Sequence, residues 1–276
     1  MTIHRAPPVR LSKGGRVVLS LLATALSVGA QSAPRAVVPV VTSIVNAATG
    51  EPNITSGGWA TVYGSGFIWS STGYTRPWLP SDFINGNLPF QLNDIGVKFN
   101  GIPMYVAFIS PNQINVLIPD DPTIGQVAVG EAGQLDQSNI ILVNKEQYSP
   151  GLFPFTPRYP AAVHLDGSYC GPANLLPGVT TTPAKPNETI ELYGTGFGPT
   201  NPKIDFSKLF STPAPIAQTV TATVGGVAAK VSGYLVSPGL YQFNLTVPNL
   251  GDGDAPVVLT VAGQNTQGAM NLAIRH

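Results

Sequence analysis

The chain runs to 276 residues with 14 Lys/Arg against 14 Asp/Glu, and 10% of it is charged, well under the roughly 25% of an ordinary globular protein. Lys and Arg do not cluster into a phosphate-binding face, which argues against nucleic acid as a partner. Gly (30) and Pro (27) are abundant and no stretch repeats apolar residues at helical spacing, so long helices are excluded and short strands between frequent turns are predicted.

Residues 1–30 read as a secretory signal peptide. His4, Arg5, Arg10, Lys13 and Arg16 form a basic start without an acid, Val17 to Val28 is apolar, and Val28-Gly29-Ala30 sets small residues ahead of a cut before Gln31. The apolar run is shorter than the roughly 20 residues that span a bilayer. No Cys follows the cut and no later stretch could anchor the chain, so the mature product is expected to be soluble, without a membrane span. The segment carries four of the 14 Lys/Arg and no acid, leaving ten against 14. Residues 31–276 suit two domains, 37–150 and 151–276, each large enough to bury a core.

Val37 to Val45 is predicted as a strand, followed by the turn Asn46-Ala47-Ala48-Thr49-Gly50. The next strand, Trp59 to Tyr63, reveals a duplication. Val62-Tyr63-Gly64-Ser65-Gly66-Phe67 returns as Leu192-Tyr193-Gly194-Thr195-Gly196-Phe197, 130 residues on, and Gln113 to Pro119 returns as Gln242 to Pro248, 129 on. Shifted onto each other, Ala60/Val62 match Ile190/Leu192, while Trp59, Thr61 and Tyr63 match Thr189, Glu191 and Tyr193. Glu191 favours solvent, so Ala60/Val62 and Ile190/Leu192 are assigned to the core face.

Asn100-Gly101 and Gly225-Gly226 are predicted two-residue hairpin turns at matching positions. In the strands that follow, Ile114, Val116, Ile118 and Phe243, Leu245, Val247 face inward. Gln113/Asn115 and Gln242/Asn244 face outward, and their amides are expected to tie down neighbouring backbone. Gln126–Val129 with Ile140–Val143, and Val257–Val261 with Met270–Ile274, close the repeats. Ser149 to Pro154 is a short stiff connection. Ala161–Leu165 and Ser168–Cys170 then flank a hairpin at Asp166-Gly167. The pattern reads as all-β, two tandem antiparallel β-sandwiches.

No acid/base pair, nucleophile or metal cluster recurs in both copies, and no catalytic residue, metal or cofactor is assigned. Cys170, the sole cysteine, cannot form an internal disulfide. In a two-residue hairpin His164 opposes Tyr169 and Val163 opposes Cys170, so His164 and Cys170 are diagonal neighbours with no third group to orient the imidazole. Gly251-Asp252-Gly253-Asp254 has too few oxygens for a calcium loop and reads as a solvated turn. Ser65, matched by Thr195, lacks the spacing of a hydrolase elbow. The copies differ most in the insertions after Gly-x-Gly-Phe: Ile68–Pro89, with Trp69, Tyr74, Trp78 and Phe83, and Gly198–Pro213, with Phe206 and Phe210. Loops at a sandwich end are common binding sites. Trp69, Tyr74 and Trp78 are the candidate ligand residues, against the alternative that these rings fold back over the core.

Ser43-Ile44-Val45-Asn46-Ala47-Ala48, Asn100-Gly101-Ile102-Pro103 through Ser110-Pro111-Asn112-Gln113-Ile114-Asn115, Ser149-Pro150-Gly151-Leu152-Phe153 and Leu192-Tyr193-Gly194-Thr195-Gly196-Phe197-Gly198 together resemble the Solibacter-type uncharacterised C-terminal domain. That family groups with the immunoglobulin-like IPT/TIG modules of bacterial secreted proteins, and the resemblance covers nearly all of residues 37–276. It implies immunoglobulin-like sandwiches in a secreted, periplasmic or cell-surface protein, and no enzymatic activity. The expectation is a non-catalytic structural or adhesive module with a protein or surface-polysaccharide partner. The alternative is a carbohydrate-binding module using the first-domain loop aromatics.

Overall fold

Strands make up the fold in the computed structural model, which describes residues 38–68, 75–132, 137–268 and 270–276. The segment 1–30, read as a signal peptide, lies outside them. In the first repeat the main strands are β1 (Val40–Asn46), β2 (Trp59–Ser65), β3 (Gly96–Phe99), β4 (Tyr105–Ile109), β5 (Gln113–Leu117), β6 (Gly125–Ala132) and β7 (Ile141–Lys145). In the second they are β8 (Ala162–His164), β9 (Thr189–Thr195), β10 (Val220–Val224), β11 (Val227–Ser237), β12 (Leu240–Thr246), β13 (Gly253–Val261) and β14 (Asn271–Ile274). Among the described residues no helix is long and apolar enough to cross a membrane.

In the first repeat one sheet runs β1-β2-β5-β4 with Arg76–Pro77 at its edge. The other runs Asn53–Ile54, β7, β6, β3, then Ile102–Pro103. Between them lies one hydrophobic cluster in which Ala60, Val62, Ile114 and Val116 meet Val97, Phe99, Val127 and Val129, as facing sheets with period-two alternation require. A second cluster holds Ile190, Leu192, Phe243, Leu245, Val257 and Leu259. The second repeat departs in one respect: β11 pairs β10 through Val227–Ala229 and β12 from Lys230 to Ser237, so one strand crosses between sheets. Among the described strands pairing is antiparallel except for Asn53–Ile54 with β7 and Tyr169–Cys170 with Thr181–Thr182, which are parallel, as is the isolated bridge between Ala184 and Ile274. These two short pairs make the sheets mixed rather than wholly antiparallel.

The duplication holds at the level of hydrogen-bond register. Ala60 pairs Val116, Thr61 pairs Asn115 and Tyr63 pairs Gln113. In the other copy Ile190 pairs Leu245, Glu191 pairs Asn244 and Tyr193 pairs Gln242. The repeated glycine has a steric cause. A Cβ on Gly64 would collide with the carbonyl of Val40 and the ring of Phe67, and one on Gly194 would meet the carbonyl of Gly151 at 2.5 Å and the ring of Phe197 at 3.0 Å. Each copy thus brings an incoming strand and a phenylalanine against one bare backbone.

Both predicted turns form: φ is 46° and 81° at Asn100-Gly101, 58° and 78° at Gly225-Gly226, as a type I′ turn demands. The Asp166-Gly167 hairpin differs from expectation. His164 N donates to Ser168 O, Gly167 N donates to His164 O, and Val163 pairs Tyr169. The loop is therefore Leu165-Asp166-Gly167, with Gly167 at φ 84°. Three residues with a left-handed glycine last make a bulged turn, which slips the expected register by one.

The repeats are joined without a free linker. Pro150, Gly151 and Leu152 are buried, and Gly151–Leu152 pairs with β9 at Thr195 and Gly194. Asn46, 3% exposed, donates from Nδ2 to Ser149 O at 2.7 Å, while its Oδ1 accepts from Ala48 N at 2.8 Å. Gln267 donates to Leu152 O at 2.6 Å and accepts from Leu152 N at 3.0 Å. On the other side of the joint, Trp59 N donates to Thr195 Oγ1, which itself donates to Gly239 O.

Candidate functional site

The first-repeat insertion is pinned at its described end. Arg76 forms a two-pronged ion pair with Asp82 at 2.7 and 3.1 Å, and Asp82 also accepts from Leu79 N. The guanidinium holds the Asp82 carboxyl below the usual carboxylate range. Trp78 N donates to Ala107 O. The half-buried Trp78 ring packs against the first core and lies 5.6 Å from Trp59 and 5.0 Å from Phe83, centroid to centroid. Trp69 and Tyr74 lie outside the described residues. Of the three rings singled out from the sequence, the one described folds back over the core. In the second insertion Phe210 packs against its own core, and the Phe206 ring lies against Gly57, where a Cβ would stand 3.0 Å away.

Phe206 also lines a cleft of about 450 Å³ between the repeats, with Ser56, Asp120, Lys145, Ile204 and Leu235. Lys145, 2% exposed, donates to the carbonyls of Asp121 and Thr123 at 2.7 Å each and sits 6.0 Å from the Phe99 ring. Burial pushes its pKa down while Asp121 and Asp120 oppose the shift. With two carbonyls and a ring around it, the ammonium caps the end of the first core. Lys203 and Asp120, 2.5 Å apart, tie the cleft's two walls.

His164 has the orienting partner that the sequence did not reveal. Its Nδ1 lies 2.6 Å from Glu188 Oε1, and its Nε2 lies 3.0 Å from Thr182 Oγ1 and 3.1 Å from Thr182 O. Glu188 sits 24 residues downstream, and only the pairing of β8 with β9 brings it close. Cys170 is 1% exposed, its thiol pushed up to about 12 mainly by burial and then by Glu188. A thiol this hard to ionise is a poor nucleophile. The imidazole instead clamps the strand ends carrying Thr182 and Glu188. Ser65 is exposed at the end of β2. Gly251–Asp254 is not a free turn throughout: Gly253 and Asp254 open β13, Asp254 meets Arg158 and Tyr159 at 2.8 Å, and Asp252 meets His276. Among the described residues no three His, Cys, Asp or Glu side chains converge to hold a metal ion.

The outward sheet faces carry an arrangement that both copies share. Gln113 Nε2 donates to Asn115 Oδ1 at 2.8 Å, and Gln242 Nε2 to Asn244 Oδ1 at 2.9 Å. These amides bond each other across the face, not the backbone as expected, because residues two apart on a strand share a side. Each Gln also lies opposite a tyrosine, Tyr63 or Tyr193. In the second copy the network extends: Gln242 Nε2 donates to Glu191 Oε1 at 2.9 Å and Tyr193 OH to Glu191 Oε2 at 2.8 Å. Burial, then Glu191, pushes the Tyr193 phenol up to about 12. The copies differ in cover. On the first face Leu117 is buried and the Trp59 ring lies under the Pro238-Gly239 turn.

No protein-family model matches the chain, and no curated protein is similar to it. Among solved structures it is similar to a surface glycan-binding protein of the Bacteroides ovatus mixed-linkage glucan utilization locus in complex with a heptasaccharide. That match has 11% identity, 86% of this chain and 45% of that one covered, and a TM-score of 0.37. A second likeness is to SGBP-B of a Bacteroides uniformis xyloglucan utilization locus, at 12% identity, 83% and 48% coverage, TM-score 0.23. A third is to the plexin A4 extracellular region, at 14%, 86% and 18%, TM-score 0.28. The chain spans less than half the length of each. At such distances the reading of the site rests on its own side chains.

Proposed function

We propose that the chain is an exported, non-catalytic module that serves as a rigid structural or adhesive element. It consists of two tandem immunoglobulin-like, IPT/TIG-type domains, 37–150 and 151–276, of the Solibacter-type family. Residues 1–30 are a signal peptide cut near Ala30–Gln31, and the mature chain meets a protein or polysaccharide at a bacterial surface. The observation that carries this reading is the joint. Gln267 donates to Ala48 O and Trp59 N to Thr195 Oγ1 across the repeats, Asn46 fastens Ser149 at the start of the connection, and the connecting residues 150–152 are buried. Domains linked for independent motion have exposed, flexible linkers, and a spacer that must present a surface at fixed orientation does not.

The test is recovery of the chain from its exporting cell followed by intact mass and N-terminal sequencing. A start near Gln31 in the surface or secreted fraction is expected, and material retained inside the cell with Met1 overturns export. Hydrolase activity that vanishes on mutating Cys170, His164 or Ser65 overturns the non-catalytic reading. Carbohydrate binding is the second reading. Of the three candidate rings of the first-repeat loop the one described, Trp78, meets Trp59 edge-on and Phe83 at a tilt. What favours sugar binding is the tyrosine and amide network on the outward face of the second repeat.

A further inference from the structure

Strand register sets out the second repeat's outward face in rows. Tyr169 pairs Val163, Val163 pairs Glu191, Glu191 pairs Asn244, and Asn244 pairs Ser232. In the neighbouring row Tyr193 pairs Gln242, and Gln242 pairs Tyr234. Directly opposed residues share a side of the sheet. The other side is fixed as the core by Ala162, Cys170, Leu192, Phe243 and Leu235, all buried. Tyr169, Tyr193 and Tyr234 therefore stand on one face at every second strand, spaced by about 10 Å because strands lie 4.7–4.9 Å apart. Tyr169 is 41% exposed, and Tyr193 and Tyr234 are half-buried.

Between the rings the polar groups hold one another in place. Glu191 is the one acid in these two rows, and both its oxygens accept protein hydrogen bonds, from Tyr193 OH and Gln242 Nε2. Gln242 Nε2 uses both hydrogens, on Glu191 and Asn244. Gln242 Oε1 and Asn244 Nδ2 are left as an acceptor and a donor with no protein partner among the described residues. The face thus carries one negative charge, on Glu191, and no cation between its rings, with ring surfaces at regular intervals and an open donor–acceptor pair between two of them. A protein partner calls for an apolar centre, and here Val163 stands among polar side chains while Pro215, opposite Tyr234, and Phe155, edge-on to Tyr169, lie at the two ends of the face. An anionic partner calls for unpaired cations, and the face offers Lys230 only at its rim, opposite Thr246.

We propose that this face binds an uncharged polysaccharide chain laid across the Tyr169–Cys170 strand, β8, β9, β12 and β11. Its sugar rings stack on Tyr169, Tyr193 and Tyr234, and its hydroxyls meet Gln242 Oε1 and Asn244 Nδ2. The inference rests on the binding role proposed above and names its ligand. The first repeat holds the same Tyr–Gln–Asn set, yet the joint and Trp78 cover part of that face, which assigns the site to the second copy.

The test is affinity electrophoresis of the full exported chain through gels containing neutral β-glucan, galactomannan or starch, with polygalacturonate as the anionic comparator. Retardation by at least one neutral polymer and none by polygalacturonate is expected. Tyr169→Ala/Tyr234→Ala should weaken it by at least about tenfold, as loss of central aromatic anchors does, with an unchanged melting curve. If that variant fails to fold, Asn244→Ala and Tyr169→Ala alone carry the test, each expected to weaken retardation severalfold. No retardation by any neutral polymer, equal retardation by polygalacturonate, or wild-type binding by the folded variants would overturn the inference. Attachment to intact cells that persists in those variants, with no polymer bound, refutes the glycan site and leaves the adhesive module standing.

Discussion

The Trp59 indole of the first repeat donates to Pro238 O at 3.0 Å and occupies the space where a Cβ on Gly239 would stand, 2.6 Å from Nε1. Gly239 also holds φ +69°, a conformation that L side chains adopt at a cost. Replacing it with alanine adds that strain, of order 1–3 kcal/mol, and drives a methyl into Leu117 and Trp59. The expected result for Gly239→Ala in scanning calorimetry is a lowered transition that separates into two, one per repeat. An unchanged single transition would show that the joint does not couple them.

Val116 and Asn115 are neighbours on β5 with opposite fates. Val116 is fully buried opposite Ala60, so Val116→Asp places an unpaired carboxylate in the core and should cost about 4 kcal/mol or more. Asn115 is half-buried and accepts from Gln113 Nε2, a donor that a carboxylate can also use, so Asn115→Asp should cost about 1 kcal/mol or less. Urea denaturation of the pair measures the difference. Equal losses would mean that the facing assignment is wrong.

Much of this framework was legible from the duplication, because two copies of one pattern settle facing where a single strand is ambiguous. Glu191 forced its partners outward, and Ala60 and Val62 followed. Local turn chemistry was legible too at Asn100-Gly101. What escaped was whatever depends on distant pairing. Glu188 reaches His164 only after β8 docks on β9, and Trp59 N reaches Thr195 only once the repeats close. The Asp166-Gly167 register slipped because one glycine serves both two-residue and three-residue loops, and the dipeptide alone does not distinguish them. The tyrosine row was hidden for a similar reason: Tyr169, Tyr193 and Tyr234 share no periodicity along the chain and align only across strands.

The Arg76–Asp82 pair makes a pH-dependent contribution of known sign. Arg76 holds the folded Asp82 pKa below its ordinary 3.8, so the folded chain binds fewer protons than the unfolded one as pH falls toward that value. The stabilisation is therefore present above 3.8 and is lost as pH drops through the folded pKa. Asp82→Asn should lower the melting temperature near neutrality, and the deficit should shrink as pH falls below 3.8 and through the folded Asp82 pKa. A deficit independent of pH would assign the effect to packing alone.

Cys170 should be chemically silent in the native chain. Alkylation requires thiolate, and this thiol is buried with its pKa pushed up to about 12. Iodoacetamide at mildly alkaline pH should leave the folded protein unmodified by mass spectrometry and label it fully in denaturant. Rapid labelling of the native state would mean that the Tyr169–Cys170 strand opens.

Two phrases that carry the family resemblance, Ser43–Ala48 and Ser149–Phe153, touch through Asn46, whose amide group donates to Ser149 O and accepts from Ala48 N. Alanine at 46 leaves both backbone groups unpaired in a buried site and should cost about 1–3 kcal/mol. Aspartate separates the two roles. Its carboxylate still accepts from Ala48 N, but it cannot donate, and it sets a negative charge against the carbonyl of Ser149. Asn46→Asp should therefore destabilise at least as much as Asn46→Ala at neutral pH and recover toward it in acid, where a protonated carboxyl can donate again. If aspartate is instead well tolerated at neutral pH in chemical denaturation, the turn contact to Ala48 outweighs the bond to Ser149, and Asn46 shapes its own loop rather than fastening the start of the connection.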